Sequence, residues 1–216
     1  RGGVVTSAEQ RFLRDSAPVP GKVFDAVTDF GAKADGKSDD TAAIQAAIDA
    51  ARQADQGAIA YLPTGRYVVS KTLSVTGRDY TVGGSGFRCG LVWRGEAGRP
   101  MIEVSGVQSV TLANLAVGNH DFGPMTHGDD IRVNSTSGTP CRLTLDEVYG
   151  FGMYQKAPDT HGLHFDQLTP GSVVDAVHVQ GNLRITGSDR AFLLFRTSYE
   201  GTVTIEGLAA SQEGIV

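Results

Sequence analysis

Four of the five histidines in this 216-residue chain, His120, His127, His161 and His164, fall within 45 residues of one another. Among and beside them stand Asp129, Asp130, Arg132, Tyr154, Lys156 and Asp166. An imidazole, a phenol or an amine can move a proton, so His161, His164, Tyr154 and Lys156 are candidate bases. Arg132 or Lys156 can neutralise a developing negative charge. Asp129, Asp130 and Asp166 can act as paired carboxyls. Asp121, Asp129 and Asp130 can offer oxygen ligands to Ca2+, although their spacing is not that of an EF-hand loop. The candidate catalytic set is His164, Asp166, Asp130, His161, Lys156 and Arg132, and Ca2+ is the one cofactor these residues suggest. The plainer reading of the same residues is an exposed ladder of Glu103, Arg132 and His164 beside turn-forming acids.

Such residues need strands to hold them together. Ile102/Val104, Ile131/Val133 and Leu163/Phe165 alternate apolar with polar positions. With those side chains inward, Glu103 faces out on one coil, Asp130, Arg132 and Asn134 on the next, and His164 and Asp166 on a third. The run Ala191–Phe195 extends this family. A second family, apolar-x-apolar-x-x-apolar, occurs at Val110/Leu112/Leu115, Leu143/Leu145/Val148, Val174/Ala176/Val179 and Val203/Ile205/Leu208, offset by 33, 31 and 29 residues. Two interleaved families with one shared period predict a parallel β-helix, in which each coil gives a strand to each of several sheets. Strands stacked about 4.8 Å apart would align Glu103, Arg132 and His164 in a row up one face.

The start of the chain reads differently. Residues 1–21 are polar and irregular, an arm. Ile44, Ala47, Ile48 and Ala51 recur at helical spacing, which predicts a helix over Thr41–Ala54 with Asp39 or Asp40 as its cap. Ala58–Leu62 and Tyr67–Val69 flank a turn at Pro63-Thr64-Gly65. The expected organisation is an arm (1–21), a cap and first coil (22–75) and β-helix coils (76–216). The last residues, Ser211–Val216, stop partway into a coil, so a further segment or another chain is expected to continue the solenoid.

A net charge of −5 argues against a nucleic-acid surface. No apolar run approaches the roughly 20 residues that span a bilayer, so no membrane partner is expected. Cys89 and Cys141 form no CxxC pair, which argues against zinc. They read as two buried free thiols, with one disulfide as the alternative.

The segment Val23–Ile48, with Asp29-Phe30-Gly31-Ala32-Lys33-Ala34-Asp35-Gly36 and Asp39-Asp40-Thr41-Ala42-Ala43-Ile44-Gln45, resembles the opening of the pectate-lyase-like superfamily. Gly57–Ser70 continues the resemblance; Ala34 stands where that loop usually has Gly. The resemblance implies an all-β fold, a right-handed parallel β-helix whose open end is covered by an N-terminal capping α-helix. It implies structural roles for Asp35, Asp39 and Asp40. It also implies an extracellular, secreted or cell-surface protein that degrades a polysaccharide in a lateral groove, as a lyase or glycoside hydrolase. For a lyase, His161, His164, Tyr154 or Lys156 would take the C5 proton of a uronate, and Arg132 or Lys156 would neutralise its carboxylate. The alternative is a non-catalytic, glycan-binding solenoid of the tailspike or adhesin kind, with a homo-trimer among its possible states. Tyr149-Gly150-Phe151 resembles a turn of alginate epimerases, but Gly152-Met153-Tyr154 stands where those have Asp-Pro-His. The Asn-Thr-Asp, paired-Asp and Arg-Ile-Lys motifs of polygalacturonases are missing.

Overall fold

The structure, a computed structural model, describes residues 21–54, 56–118, 128–135, 139–150, 162–180, 183–186, 192–195 and 203–206. The cap and first coil comprise β1 (Val23–Asp25), β2 (Asp35–Asp39), α1 (Thr41–Ala54), β3 (Ala58–Leu62), β4 (Gly65–Val69) and β5 (Leu73–Val75). The following coils pair a strand of one sheet with a strand of the other, the first being the longer in every pair but the last. These are β6 (Tyr80–Trp93) with β7 (Ile102–Ser105), β8 (Val110–Val117) with β9 (Ile131–Asn134), and β10 (Arg142–Gly150) with β11 (Leu163–Asp166). Then come β12 (Val173–Gln180) with β13 (Leu183–Thr186), and β14 (Phe192–Phe195) with β15 (Val203–Glu206). One sheet has nine strands and contains the longer ones; the other has six and runs β5-β7-β9-β11-β13-β15. Among the described residues the strands pair parallel with neighbours one coil apart, which makes this an all-β parallel solenoid.

Register explains why the apolar residues repeat. Ile102, Ile131, Leu163 and Leu183 are consecutive backbone partners, and so are Val104, Val133, Phe165 and Ile185. All eight are at most 2% exposed, so each coil lays its apolar residues on those of the last. The longer strands turn a corner midway. Asn114 and Glu147 occupy equivalent positions there, both in the left-handed region at φ 53° and 55°. β3 and β4 are the two limbs of such a bent strand, since both pair parallel with β6, and Pro63-Thr64 supplies the bend.

The coil length is less regular than the sequence pattern predicts. Leu163, Leu183 and Val203 follow one another at 20-residue intervals in the shorter-strand sheet, where Ile131 to Leu163 takes 32. Val203–Glu206 therefore belongs to the shorter-strand sheet, and Phe192–Phe195 to the longer-strand one, the reverse of the expected assignment. Only two residues link β12 to β13, against twelve between β10 and β11. A solenoid fixes strand register and leaves connection length free, so the period is not a constant of the fold.

The helix buries Ile44, Ala47, Ile48 and Ala51, the stripe expected from its spacing. Its polar residues close the solenoid's end. β5 is the edge of the six-stranded sheet. There the Gln45 amide donates to Ser74 O at 3.0 Å and its oxygen accepts from Ser74 N at 2.8 Å, as a neighbouring strand would. Edge groups left bare would invite pairing with another chain. Asp40, 2% exposed, turns back rather than capping the helix with its side chain. Its carboxylate accepts from Lys33 N at 2.6 Å and Ala34 N at 3.0 Å, while its carbonyl takes the first helical bond from Ile44 N. Asp39 accepts from Thr41 N and Ser70 Oγ, tying helix to coil. Asp35 accepts from the Lys37 and Ser38 amides, which hold its carboxyl below the ordinary value.

Ala34 carries φ 51°, where a side chain costs about 1–2 kcal/mol. Cys89 and Cys141 are free and fully buried, as read from the sequence, and burial pushes both thiols up to about 11.

Urea unfolding should give two shifts of opposite sign. Asp40→Ala loses about 2–3 kcal/mol because two loop amides lose a charged acceptor. Ala34→Gly gains up to about 1 kcal/mol by relieving the left-handed backbone. An Asp40→Ala protein as stable as the parent contradicts the assigned role. Both thiols should resist a thiol reagent at pH 8 in the folded protein and react fully in denaturant without reductant; failure to react there would reveal a disulfide.

Candidate functional site

Three strands of the six-stranded sheet bring the expected residues together. Glu103 in β7, Arg132 in β9 and His164 in β11 are consecutive backbone partners, so the row expected from the repeat is present. Two residues along each strand, Ser105, Asn134, Asp166 and Thr186 form a second row. Both rows point away from the apolar core because the core-facing positions between them are taken by Val104, Val133, Phe165 and Ile185.

His164 is the centre of this face and is 5% exposed. Its Nδ1 lies 2.7 Å from Asp129 Oδ2 and its Nε2 lies 2.7 Å from Thr186 Oγ1. Thr186 in turn donates to Asp166 Oδ1 at 2.8 Å. Arg132 Nε sits 3.4 Å from Asp129 Oδ2 and 3.9 Å from Asp166 Oδ2. Two carboxylates, one guanidinium, one imidazole and one hydroxyl therefore form a single connected set drawn from β9, β11, β13 and the residues just before β9.

The geometry limits where protons can be. A carboxylate opposite Nδ1 requires a hydrogen on that nitrogen. If the Thr186 hydrogen points at Asp166, Nε2 must also carry one, and the ring is cationic beside the two carboxylates. If that hydrogen points at Nε2 instead, the ring is neutral and Asp166 loses the bond. Thr186 is thus a two-position link between His164 and Asp166. The groups open to a ligand are Arg132, with 36% of its side chain exposed, and Asp166, with 23%. Arg132 Nε is itself buried. Both carboxylates contact one Nε, so their nearest oxygens are at most about 7 Å apart.

Arg132, His164 and Asp166 are gathered as expected, but His164 is enclosed rather than presented to solvent, because Asp129, Arg132 and Thr186 surround its ring. Asp130 points elsewhere. It is 0% exposed, and its Oδ2 would lie 3.2 Å from a Cβ added at Gly150. Glu103 accepts from Asn134 Nδ2 at 2.9 Å, a sideways contact instead of the expected ladder to Arg132. His161, Lys156, Tyr154, His120, His127 and Asp121 lie outside the described residues. Among the described residues, no group of three or more His, Cys, Asp or Glu is arranged as metal ligands. Asp129, of the acids considered for Ca2+, is engaged by His164 and Arg132.

Thr186 was not foreseen. The assumed constant period set Ala191–Phe195 beside His164, whereas Leu183-Arg184-Ile185-Thr186 occupies that place. The alternation of Leu183 and Ile185 is the signal that identifies it. Tyr149, on the longer-strand sheet, bonds to Glu147, and its ring stacks on Phe87 with centroids 3.9 Å apart. Burial, then the Glu147 carboxylate, raises its pKa above the ordinary phenol value.

The sequence model of the family described as rhamnogalacturonase A/epimerase, pectate lyase-like, matches residues 24–89. Alginate lyase 7 of Azotobacter vinelandii is 68% identical over 44 residues, which are 20% of this chain and 5% of that protein. The mannuronan C5-epimerase AlgE3 of the same organism is 68% identical over 44 residues, 20% of this chain and 2% of that protein. The matches thus span a small part of these relatives' lengths. Among solved structures, the Dettilon tailspike protein aligns with 78% of this chain and 32% of its own at a TM-score of 0.52 and 16% identity, a likeness of fold. The cap, residues 24–89, is thus similar to that pectate-lyase-like family, and the stacked coils share the parallel β-helix fold.

Proposed function

We propose that this chain is part of an extracellular polysaccharide-degrading β-helix enzyme, a lyase or glycoside hydrolase, whose glycan lies across the outer face of the six-stranded sheet. The observation that carries the reading is the Arg132 guanidinium held between Asp129 and Asp166 at 3.4 and 3.9 Å beside the His164–Thr186 link. The names of the relatives that share its cap, an alginate lyase and a mannuronan epimerase, support a carbohydrate substrate.

Arg132 and Asp166 are the residues that meet the sugar. Arg132 pairs with an anionic group, such as a uronate carboxylate, and stabilises the charge that builds there when a neighbouring proton leaves. Asp166 lies where it can accept or return a proton. Thr186 connects it to His164, and Asp129 fixes the ring from the other side. His164 and Asp129 are positioning residues, since both are buried and their bonded atoms face each other. In a hydrolase Asp166 would supply one carboxyl of the pair; in a lyase the base and the neutralising cation are the essential parts. His161 and Lys156 remain candidates to join them from the connection before β11.

Mass spectrometry of products from uronate-rich and neutral glycans separates the reactions: unsaturated ends indicate a lyase, water-added ends a hydrolase. Product formation is expected to fall at least about 100-fold in Asp166→Ala and in Arg132→Ala. Unchanged activity would move the site off this face. Glycan binding with no product on prolonged incubation would instead favour the non-catalytic reading.

The buried set should also count in stability. Asp129→Ala is expected to cost about 3 kcal/mol, since it strands buried partners. Glu96→Ala breaks an exposed pair with Arg99 and should cost below about 1 kcal/mol. Equal losses in urea unfolding would contradict the assigned burial of the network.

A further inference from the structure

The hydroxyl between His164 and Asp166 ties the proton of one to the proton of the other. Thr186 Oγ1 lies 2.7 Å from His164 Nε2 and 2.8 Å from Asp166 Oδ1, and a hydroxyl carries one hydrogen. On the far side of the ring, Nδ1 is 2.7 Å from Asp129 Oδ2, so that nitrogen keeps its hydrogen throughout. The strand holds the hydroxyl in place. β13 pairs with β11 residue for residue, Arg184 beside His164 and Thr186 beside Asp166. Leu183 and Ile185, at most 2% exposed, anchor β13 in the core, and the branched Cβ of threonine restricts where Oγ1 can point.

Two arrangements of hydrogens satisfy these distances. In the first, Nε2–H donates to Thr186 Oγ1 and the Thr186 hydrogen goes to Asp166, so the ring is a cation and Asp166 a carboxylate. In the second, the Nε2 hydrogen has passed to Thr186 Oγ1 and the hydroxyl's own hydrogen to Asp166 Oδ1. One N–H and one O–H bond break and two O–H bonds form. The ring becomes neutral, Asp166 becomes an uncharged acid, and the total charge is the same. Among the described residues, the charged groups around the ring are Asp129 ahead of β9, Arg132 on β9, Asp166 on its own strand and Arg184 on β13. Glu103 stands one coil beyond Arg132. Asp129 and Asp166 favour a cationic ring while Arg132 and Arg184 oppose it, which lets the hydroxyl's orientation weigh in the balance.

We propose that Thr186 is a positioning residue that couples the protonation of Asp166 to that of His164, so that the buried ring holds in reserve the proton Asp166 exchanges with substrate. The inference rests on the polysaccharide reading above and deepens it by naming what sets the state of Asp166. The ring, 5% exposed, acts only through the hydroxyl. With the ring cationic, Asp166 is a carboxylate that accepts a proton; after the double shift it is an acid that donates one. A single carboxyl can thus serve both the removal of a proton and its return. Titration of such a pair belongs to both residues together, so the pH profile of product formation should change when the hydroxyl is removed.

The ring nitrogens report this coupling without any glycan. Nitrogen-15 NMR of the full chain labelled at histidine, with His164→Gln to assign the signal, reads the ratio of cationic to neutral ring at pH 6.5. Asp166→Ala should lower that ratio about tenfold, as for the loss of one hydrogen bond to a charged group. In a Thr186→Val background the same change should move it less than about threefold, because the path through the hydroxyl is gone. Thr186→Val alone should lower the ratio about tenfold, and Thr186→Ser should keep the wild-type value. These two variants carry the test if urea unfolding shows that Asp166→Ala does not fold. An equal drop with and without the hydroxyl, or a wild-type ratio in Thr186→Val, overturns the coupling and leaves the polysaccharide reading intact if glycan products still form. The predicted ratios in a protein that forms no product from any glycan keep the coupling and overturn the polysaccharide reading.

Discussion

The parallel backbone ladder between successive coils is the constraint on which the rest of this structure depends. It fixes which residue lies above which, and it does so for every side chain on both sheets at once. Its weak point is the end, where the first strand of a sheet has no neighbour to bond. The cap exists to solve that problem. Gln45 supplies one donor and one acceptor to Ser74 in place of a missing strand, and the Ile44–Ala51 stripe covers the core that the first coil would expose. Asp40 then pins the preceding loop against the helix through Lys33 N and Ala34 N. Asp35, Asp39 and Asp40 look catalytic by type, yet their oxygens are spent on backbone amides and on Ser and Thr hydroxyls.

Register also turns distant residues into a site. Asp129, His164 and Thr186 are far apart in the chain and meet because their strands are stacked. The energetic character of the result follows from burial. An exposed ion pair contributes about 0.2–1 kcal/mol, whereas taking one partner from a buried pair costs several. His164 and Asp129 belong to the second regime, and Arg132 and Asp166 reach from it to the surface. In the proposed function the buried, bonded imidazole positions its neighbours and the charged groups at the rim touch substrate.

Much of this was legible in the sequence, for a physical reason. Alternation with period two reports which side chains face the core, so Ile102, Ile131 and Leu163 identified the Glu103–Arg132–His164 row without any structure. The helix stripe was equally plain. Coil length was not, because connections carry no periodic signal: the shortening from 32 to 20 residues after Leu163 hid Thr186 and exchanged the sheets of Phe192–Phe195 and Val203–Glu206. Burial of an outward-facing residue was also out of reach. Nothing in the His164 neighbourhood of the chain says that Asp129, from the previous coil, closes over its ring.

The most direct measurement is a crystal structure of the protein with an anionic oligosaccharide bound. A sugar carboxylate within hydrogen-bond distance of the Arg132 guanidinium, with the adjoining ring over Asp166, is the predicted result. An ordered oligosaccharide that leaves both Arg132 and Asp166 bare would contradict it.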